Sequence, residues 1–222
     1  MSIFAPTRKF FTLPREPFGV GRDERVVEIP WAFSCFQGQK KVLEIGHAFA
    51  TEPYLDRLKE LPTNLYGVDI VDKQIEGMET TVADSRNMPF SDGMFDLIFC
   101  ISTIEHVGRD NKRIYLPDDP RPIEANGDFD ALKEIARVLK KGGEVVLTVP
   151  FGEFRDYGWF IQYDAERWQR LLSSVNLTKV KEDFFHYTDG WRACQSEDLS
   201  TVLYQQGTAP AAAGLACVLL RK

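Results

Sequence analysis

The sequence predicts a doubly wound α/β domain, a mostly parallel sheet of seven strands covered on both faces by helices, with an antiparallel last strand. Two observations carry this. Short apolar runs alternate with segments of helical periodicity, the pattern of a buried parallel sheet. The last two apolar runs are joined by an Ala, Gly and Pro-rich connection (207–214) rather than by a helix, which suits an antiparallel return.

In chain order, residues 1–40 are mixed in character. Only EIPWAFSCF (28–36) has the makings of a short helix, so this segment is expected to form a cap or lid over the domain that begins at Lys41. From Lys41, KVLEIG is a buried-strand run ending in glycine, and ATEPYLDRLKEL places Tyr54, Leu55, Leu58 and Leu61 on one helical face. NLYGVDI and ETTVADS supply the second and third strands. MFDLIFCIS, flanked by SDG and GRDN, is too short for a core helix and reads as a central buried strand. DFDALKEIARVLKKGG is the most secure helix: Asp128 is its candidate N-cap, Phe129, Leu132, Ile135, Ala136 and Leu139 share one side, and Gly142 is its stop. GEVVLTVP is a further strand, DAERWQRLLSSV a helix starting at Asp164, and LTKVKEDFFHY and AGLACVLLRK are the final strands.

Composition narrows the function classes. The 222 residues are 44% hydrophobic and 27% charged, as in ordinary folded domains. A formal charge of -6 and a pI near 5.2 leave no basic stripe, which disfavours nucleic acid as a partner. Cys35, Cys100, Cys194 and Cys217 form no CxxC pair, so neither a zinc site nor a disulfide framework is expected, and a reducing cytoplasm fits best. Pro6 and Pro14 break the N-terminal segment before any signal-length apolar run, and no run is long enough to span a membrane.

Acids cluster at strand ends. Glu44 and Gly46 close the first strand, Asp69 closes the second, and Asp84 follows the third. In a doubly wound sheet the ligand sits outside the carboxyl ends of the strands. There a carboxylate after the second strand can accept from both ribose hydroxyls, and one after the third can accept from an adenine amino group. The alternative is that these acids cap the following backbone N–H groups.

With these motifs in this order the chain resembles the class I S-adenosylmethionine-dependent methyltransferases from about Lys41 onward. KVLEIG is similar to their first motif, GVDI to their ribose motif, VADSRNMPFSDGMFDLIFCISTIEHVG to the adenine motif and central strand, and ALKEIARVLKKGGEVVLTVP to the later helix and strand. ERVVEIPW, STIEHVG and TVPFG look most like methyltransferases of bacterial surface-polysaccharide and nodulation-factor genes. One departure stands out: after Glu44 the family commonly has three alternating glycines, whereas this chain has Gly46, Ala48 and Ala50. Alanine fits wherever φ is negative. The resemblance implies a Rossmann-like fold in a domain spanning 41–222, with insertions at 108–128 and 151–163. It also implies S-adenosylmethionine as cofactor, with Glu44 near the methionyl end, Gly46 and His47 along the loop, and Asp69 on the ribose. Asp84 and Ser85 would meet the adenine, Ile70 and Met88 would flank the ring, and Ser102 would complete the cofactor set.

Methylating a hydroxyl requires alignment of donor and acceptor and removal of a proton, and needs no metal in principle. Base candidates follow the fourth strand at Ser102, Thr103, Glu105 and His106. His106 has the best-suited ordinary pKa, near 6.5, its alternative being a strand-end backbone contact. His47 and His186 read as packing residues. The insertions 108–128 and 151–163 are candidates for the acceptor pocket, the second for its aromatic residues and Arg155, with Trp191 and Arg192 beside them. Asp118 and Asp119 could bind a cation but read better as solvated. The place after the fourth strand reads ISTI rather than the Pro-Pro-aromatic run of exocyclic-amine enzymes. The expected reaction is therefore O-methylation of a small molecule or saccharide. Alternatives are a methyltransferase-fold scaffold without catalysis and, less favoured because GxGxxG is missing, a nicotinamide-dependent oxidoreductase. The aromatic insertion and the N-terminal segment offer self-association surfaces, so a homodimer is an expected partner state.

Overall fold

A computed structural model of the protein describes residues 8–112 and 122–222. Asp118 and Asp119 lie outside the described residues. The main sheet is built from β1 (Lys41–Ile45), β2 (Asn64–Asp69), β3 (Glu79–Val82), β4 (Phe95–Ile101), β5 (Leu139–Pro150), β8 (Thr178–Tyr187), β9 (Trp191–Cys194) and β10 (Gly214–Arg221). Its order is β3-β2-β1-β4-β5-β10-β8-β9. Strands β1 to β5 pair in parallel, and β10 pairs antiparallel with both β5 and β8. The expected antiparallel last strand is present, and the count is eight rather than seven. The additional strand is β9, the segment expected at the acceptor rim. It forms a hairpin with β8 and buries Trp191, whose indole donates to the carbonyls of Arg22 and Asp23.

The helices are α1 (Arg25–Ser34), α2 (Glu52–Lys59), α3 (Gly127–Val138) and α4 (Ala165–Ser173). The crossover β1–α2–β2 moves toward one sheet edge while β4–α3–β5 moves toward the other. Right-handed crossovers in opposite directions put their helices on opposite faces, which makes the sheet doubly wound. Asp164 caps α4 by accepting from the Arg167 N–H at 2.8 Å. Asp128 does not cap α3, which starts one residue earlier at Gly127. Its carboxylate is buried, accepts from the Tyr163 hydroxyl at 2.9 Å and pairs with Arg167.

The N-terminal helix is part of the core rather than a separate cover. Val27, Trp31 and Ala32 of α1 are fully buried, and the Phe33 ring packs 5.8 Å from Phe99 of β4 and 5.9 Å from Tyr54 of α2. The Trp31 indole donates to Asp183 of β8 at 2.8 Å, tying α1 to the far half of the sheet. The insertion 151–163 carries a two-stranded ribbon, β6 (Arg155–Asp156) with β7 (Ile161–Gln162).

Candidate active site

A cavity opens at the carboxyl ends of β1, β2 and β4 and encloses about 1210 Å³, its open mouth included. It lies where strand order reverses, between β1 and β4.

The floor is set by the turn after β1. Gly46 adopts φ 92°, a left-handed conformation that favours glycine, and its N–H donates to the Val68 carbonyl at 2.9 Å. A Cβ there would lie 2.5 Å from Thr103 Oγ1, so the position also requires glycine for space. The next residues coil into a short 3-10 turn, His47–Phe49, followed by Ala50 at φ -63°. Alanine is therefore tolerated at position 50.

Asp69, at the end of β2, lines the cavity and also braces this turn. One carboxylate oxygen accepts from the Ala48 N–H at 2.8 Å and the other from the Val71 N–H at 2.9 Å. A carboxylate offers about four acceptor directions, so capping and ligand binding are compatible at this residue. Asp84 and Ser85 also line the cavity, with Asp84 held by Arg86 through its side chain and backbone N–H. Ile70 forms part of the same wall.

Glu44 is buried and lines the cavity, accepting from the Tyr54 hydroxyl at 2.6 Å. Burial pushes its carboxyl well above the usual range, against the lowering effect of that hydrogen bond and of Arg25. Ser102, after β4, is held at φ 43°, and its hydroxyl donates to Glu28 of α1 at 2.8 Å. The Thr148 hydroxyl of β5 donates to the same Glu28 oxygen at 2.6 Å, and Arg25 pairs with the other. The run ERVVEIPW is legible in the sequence as a likeness, but this network, with Arg25 and Ile29 lining the cavity, is not, because nothing in the run shows that it meets the strand ends.

His106 lines the cavity, and its Nδ1 lies 2.9 Å from the Trp159 carbonyl. A carbonyl only accepts, so Nδ1 carries the proton and Nε2 is the basic nitrogen. Burial pushes the imidazole pKa down to about 4, so the ring is neutral at physiological pH. The ring is flanked by Trp159 at 5.2 Å and Phe160 at 5.9 Å.

Three expected residues are not brought into the cavity wall. His47 is buried against Gly67 of β2 with Nε2 3.0 Å from the Lys73 carbonyl. Met88 is buried beside α3, its N–H donating to Glu134. Glu105 is buried with Oε2 unpartnered among the described residues, and desolvation raises its carboxyl above the usual range. The aromatic residues of 151–163 are likewise absent from the wall. Phe151, Phe160 and Tyr163 are buried, and Tyr157 stacks on Phe160 at 4.7 Å. From 108–128, Gly108, Arg109, Asn111 and Pro122 do line the cavity. Arg109 bridges that insertion to β6 by pairing with Asp156 and donating to the Ala125 carbonyl.

Residues 24–188 match the family described as a methyltransferase domain, which is about three quarters of the chain. The chain belongs to this family. The cavity presents a strand-end acid, Asp69, and a glycine turn at Gly46, residues that fit S-adenosylmethionine as cofactor. The chain is 30% identical over 113 residues to the probable tRNA methyltransferase 9B of Mus musculus, a match covering 51% of this chain and 22% of that protein. The chain thus spans about a fifth of that relative's length. Among solved structures, it is similar in fold to the 1,6-didemethyltoxoflavin-N1-methyltransferase of Burkholderia thailandensis with bound 1,6-didemethyltoxoflavin and S-adenosylhomocysteine. That match has a TM-score of 0.55 at 13% identity and covers 82% of this chain and 70% of the other. It is also similar to the N-methyltransferase NodS of Bradyrhizobium japonicum in complex with S-adenosylhomocysteine, with a TM-score of 0.53 at 16% identity, covering 83% and 78%. Among the described residues no helix is long and apolar enough to cross a membrane, and no group of His, Cys, Asp and Glu could hold a metal ion.

Proposed function

We propose that the methyltransferase modifies an oxygen atom of a small molecule or saccharide, with His106 as general base. The observation that carries this reading is the His106 imidazole in the cavity wall with Nδ1 committed to the Trp159 carbonyl, so that Nε2 is the proton-accepting atom. S-adenosylmethionine, when bound, supplies an electrophilic methyl group on a sulfonium. Asp69 would hold the ribose hydroxyls, Asp84 and Ser85 the adenine edge, and Ile70 the ring face. Ser102 and Glu44 would stand nearer the methionyl end. His106 takes the hydroxyl proton as the oxygen becomes the nucleophile. Trp159 and Phe160 flank the imidazole and hold its plane.

A nucleic-acid acceptor is favoured by one observation, the likeness to a probable tRNA methyltransferase over half the chain. A charge of -6 opposes it. The deciding experiment incubates the protein and radiolabelled donor with three acceptor pools: phenolic small molecules, saccharides, and bulk tRNA. Label in either of the first two pools, lost in His106→Asn, supports the proposal. Label in tRNA alone overturns it.

A further inference from the structure

We propose that His47 and Lys73 are positioning residues for the methyl donor, a clasp that fixes the turn after β1 against the loop after β2. The inference rests on the donor reading of this cavity. One stretch of its wall is Gly46, Phe49 and Ala50, and the facing chain segment supplies Asp69 and Ile70. Neither His47 nor Lys73 lines the cavity, so any influence on the donor passes through these wall residues.

The clasp is reciprocal. His47 Nε2 lies 3.0 Å from the Lys73 carbonyl, and because a carbonyl only accepts, Nε2 carries the proton. The Lys73 ammonium donates in return to the Ala48 carbonyl at 2.8 Å. With the Ala48 N–H given to Asp69, both backbone groups of Ala48 are held from the β2 side. These three fastenings span 26, 25 and 21 residues of sequence, so none follows from local chain geometry. Strand β2 makes room for the buried imidazole at Gly67, where a Cβ would lie 2.9 Å from Nδ1. Nδ1 has no partner among the described residues, so the ring is held through Nε2 alone. A half-satisfied buried imidazole and a glycine inside a strand both cost stability. A leucine at position 47 would avoid the first cost, which marks the contact as one that sets geometry. Alanines at 48 and 50 restrict the backbone of the turn, and the clasp fixes where the restricted turn sits against β2.

The test is calorimetric titration with S-adenosylhomocysteine and 5′-methylthioadenosine, which share the nucleoside and differ in the amino-acid tail. His47→Leu, which fills the site without a donor, and Lys73→Met, which keeps the aliphatic stem, should each weaken both ligands alike, by roughly three- to tenfold. His47→Gln, which offers an N–H at the place of Nε2, should bind within about twofold of wild type. In the double variant the loss should fall short of the product of the single losses, because either break frees the same loop. Unchanged affinities in Lys73→Met, whose side chain is half-buried, overturn the clasp even where His47→Leu fails to fold. A lowered thermal midpoint with unchanged affinities makes the pair merely structural and overturns it as well. So does weakening confined to S-adenosylhomocysteine, or equal loss in His47→Gln and His47→Leu, a pattern of shape rather than of hydrogen bonding. A folded wild type that binds neither ligand overturns the donor reading and the clasp with it.

Discussion

At the scale of single residues, Asp69 joins two tasks, bracing the turn through Ala48 and Val71 while facing the cavity. Removing a charged acceptor costs about 1.5–3 kcal/mol. Asp69→Ala should therefore weaken S-adenosylhomocysteine roughly ten- to a hundredfold in calorimetry, and unchanged affinity in a folded variant would remove it from the site. His106 sets the pH response of catalysis. With its pKa pushed down to about 4, it is deprotonated through the neutral range. The kcat/KM profile should then lose activity only as pH falls toward about 4, and an acid limb centred near 6.5 would contradict this. Asp69 is legible because a strand-end acid follows from apolar patterning alone. Met88 and Glu105 depart from expectation because two or three residues of loop decide whether a side chain meets the cavity or the packed interior, and no periodicity records that.

At the scale of elements, strands β1, β2, β4 and the 144–150 part of β5 are legible as apolar runs, whereas residues 139–143, expected as the end of the preceding helix, belong to β5 because α3 stops at Val138. Strands β6, β7 and β9 are not, being two to four residues long and formed by pairing partners distant from any sequence signal. Helix α1 can be read as a short helix but not as a wall of the site. Its Arg25 and Pro30 lie in the ERVVEIPW run that carries the family likeness, but its place depends on tertiary contacts such as Trp31 with Asp183. Trp31→Ala should destabilise the protein by about 3–5 kcal/mol, as for large buried aromatics. Chemical denaturation would read this as a lower midpoint, and a loss under about 1 kcal/mol would mean α1 is peripheral to the fold.

At the scale of the whole molecule, buried acids make stability depend on pH. Burial, with Glu28 nearby, raises Glu24 to about 7, while its side chain accepts from the Ala212 N–H at 3.2 Å. Between its unfolded value near 4.5 and about 7 the folded protein binds the extra proton, so this contribution is present at low pH and lost as pH rises through 7. Glu24→Gln, which keeps the acceptor, should raise the thermal midpoint relative to wild type more at pH 8 than at pH 5. An equal effect at both would show that Glu24 titrates normally.

The position of β10 has a temporal consequence. Because Gly214–Arg221 lies between β5 and β8, the β8–β9 hairpin cannot join the rest of the sheet until these late residues have been synthesised. A nascent chain must leave the apolar edge of β5 unpaired until β10 has emerged, the kind of exposed edge that chaperones shield. β10 is therefore a keystone: the strand that locks two half-sheets together is made only after both of them.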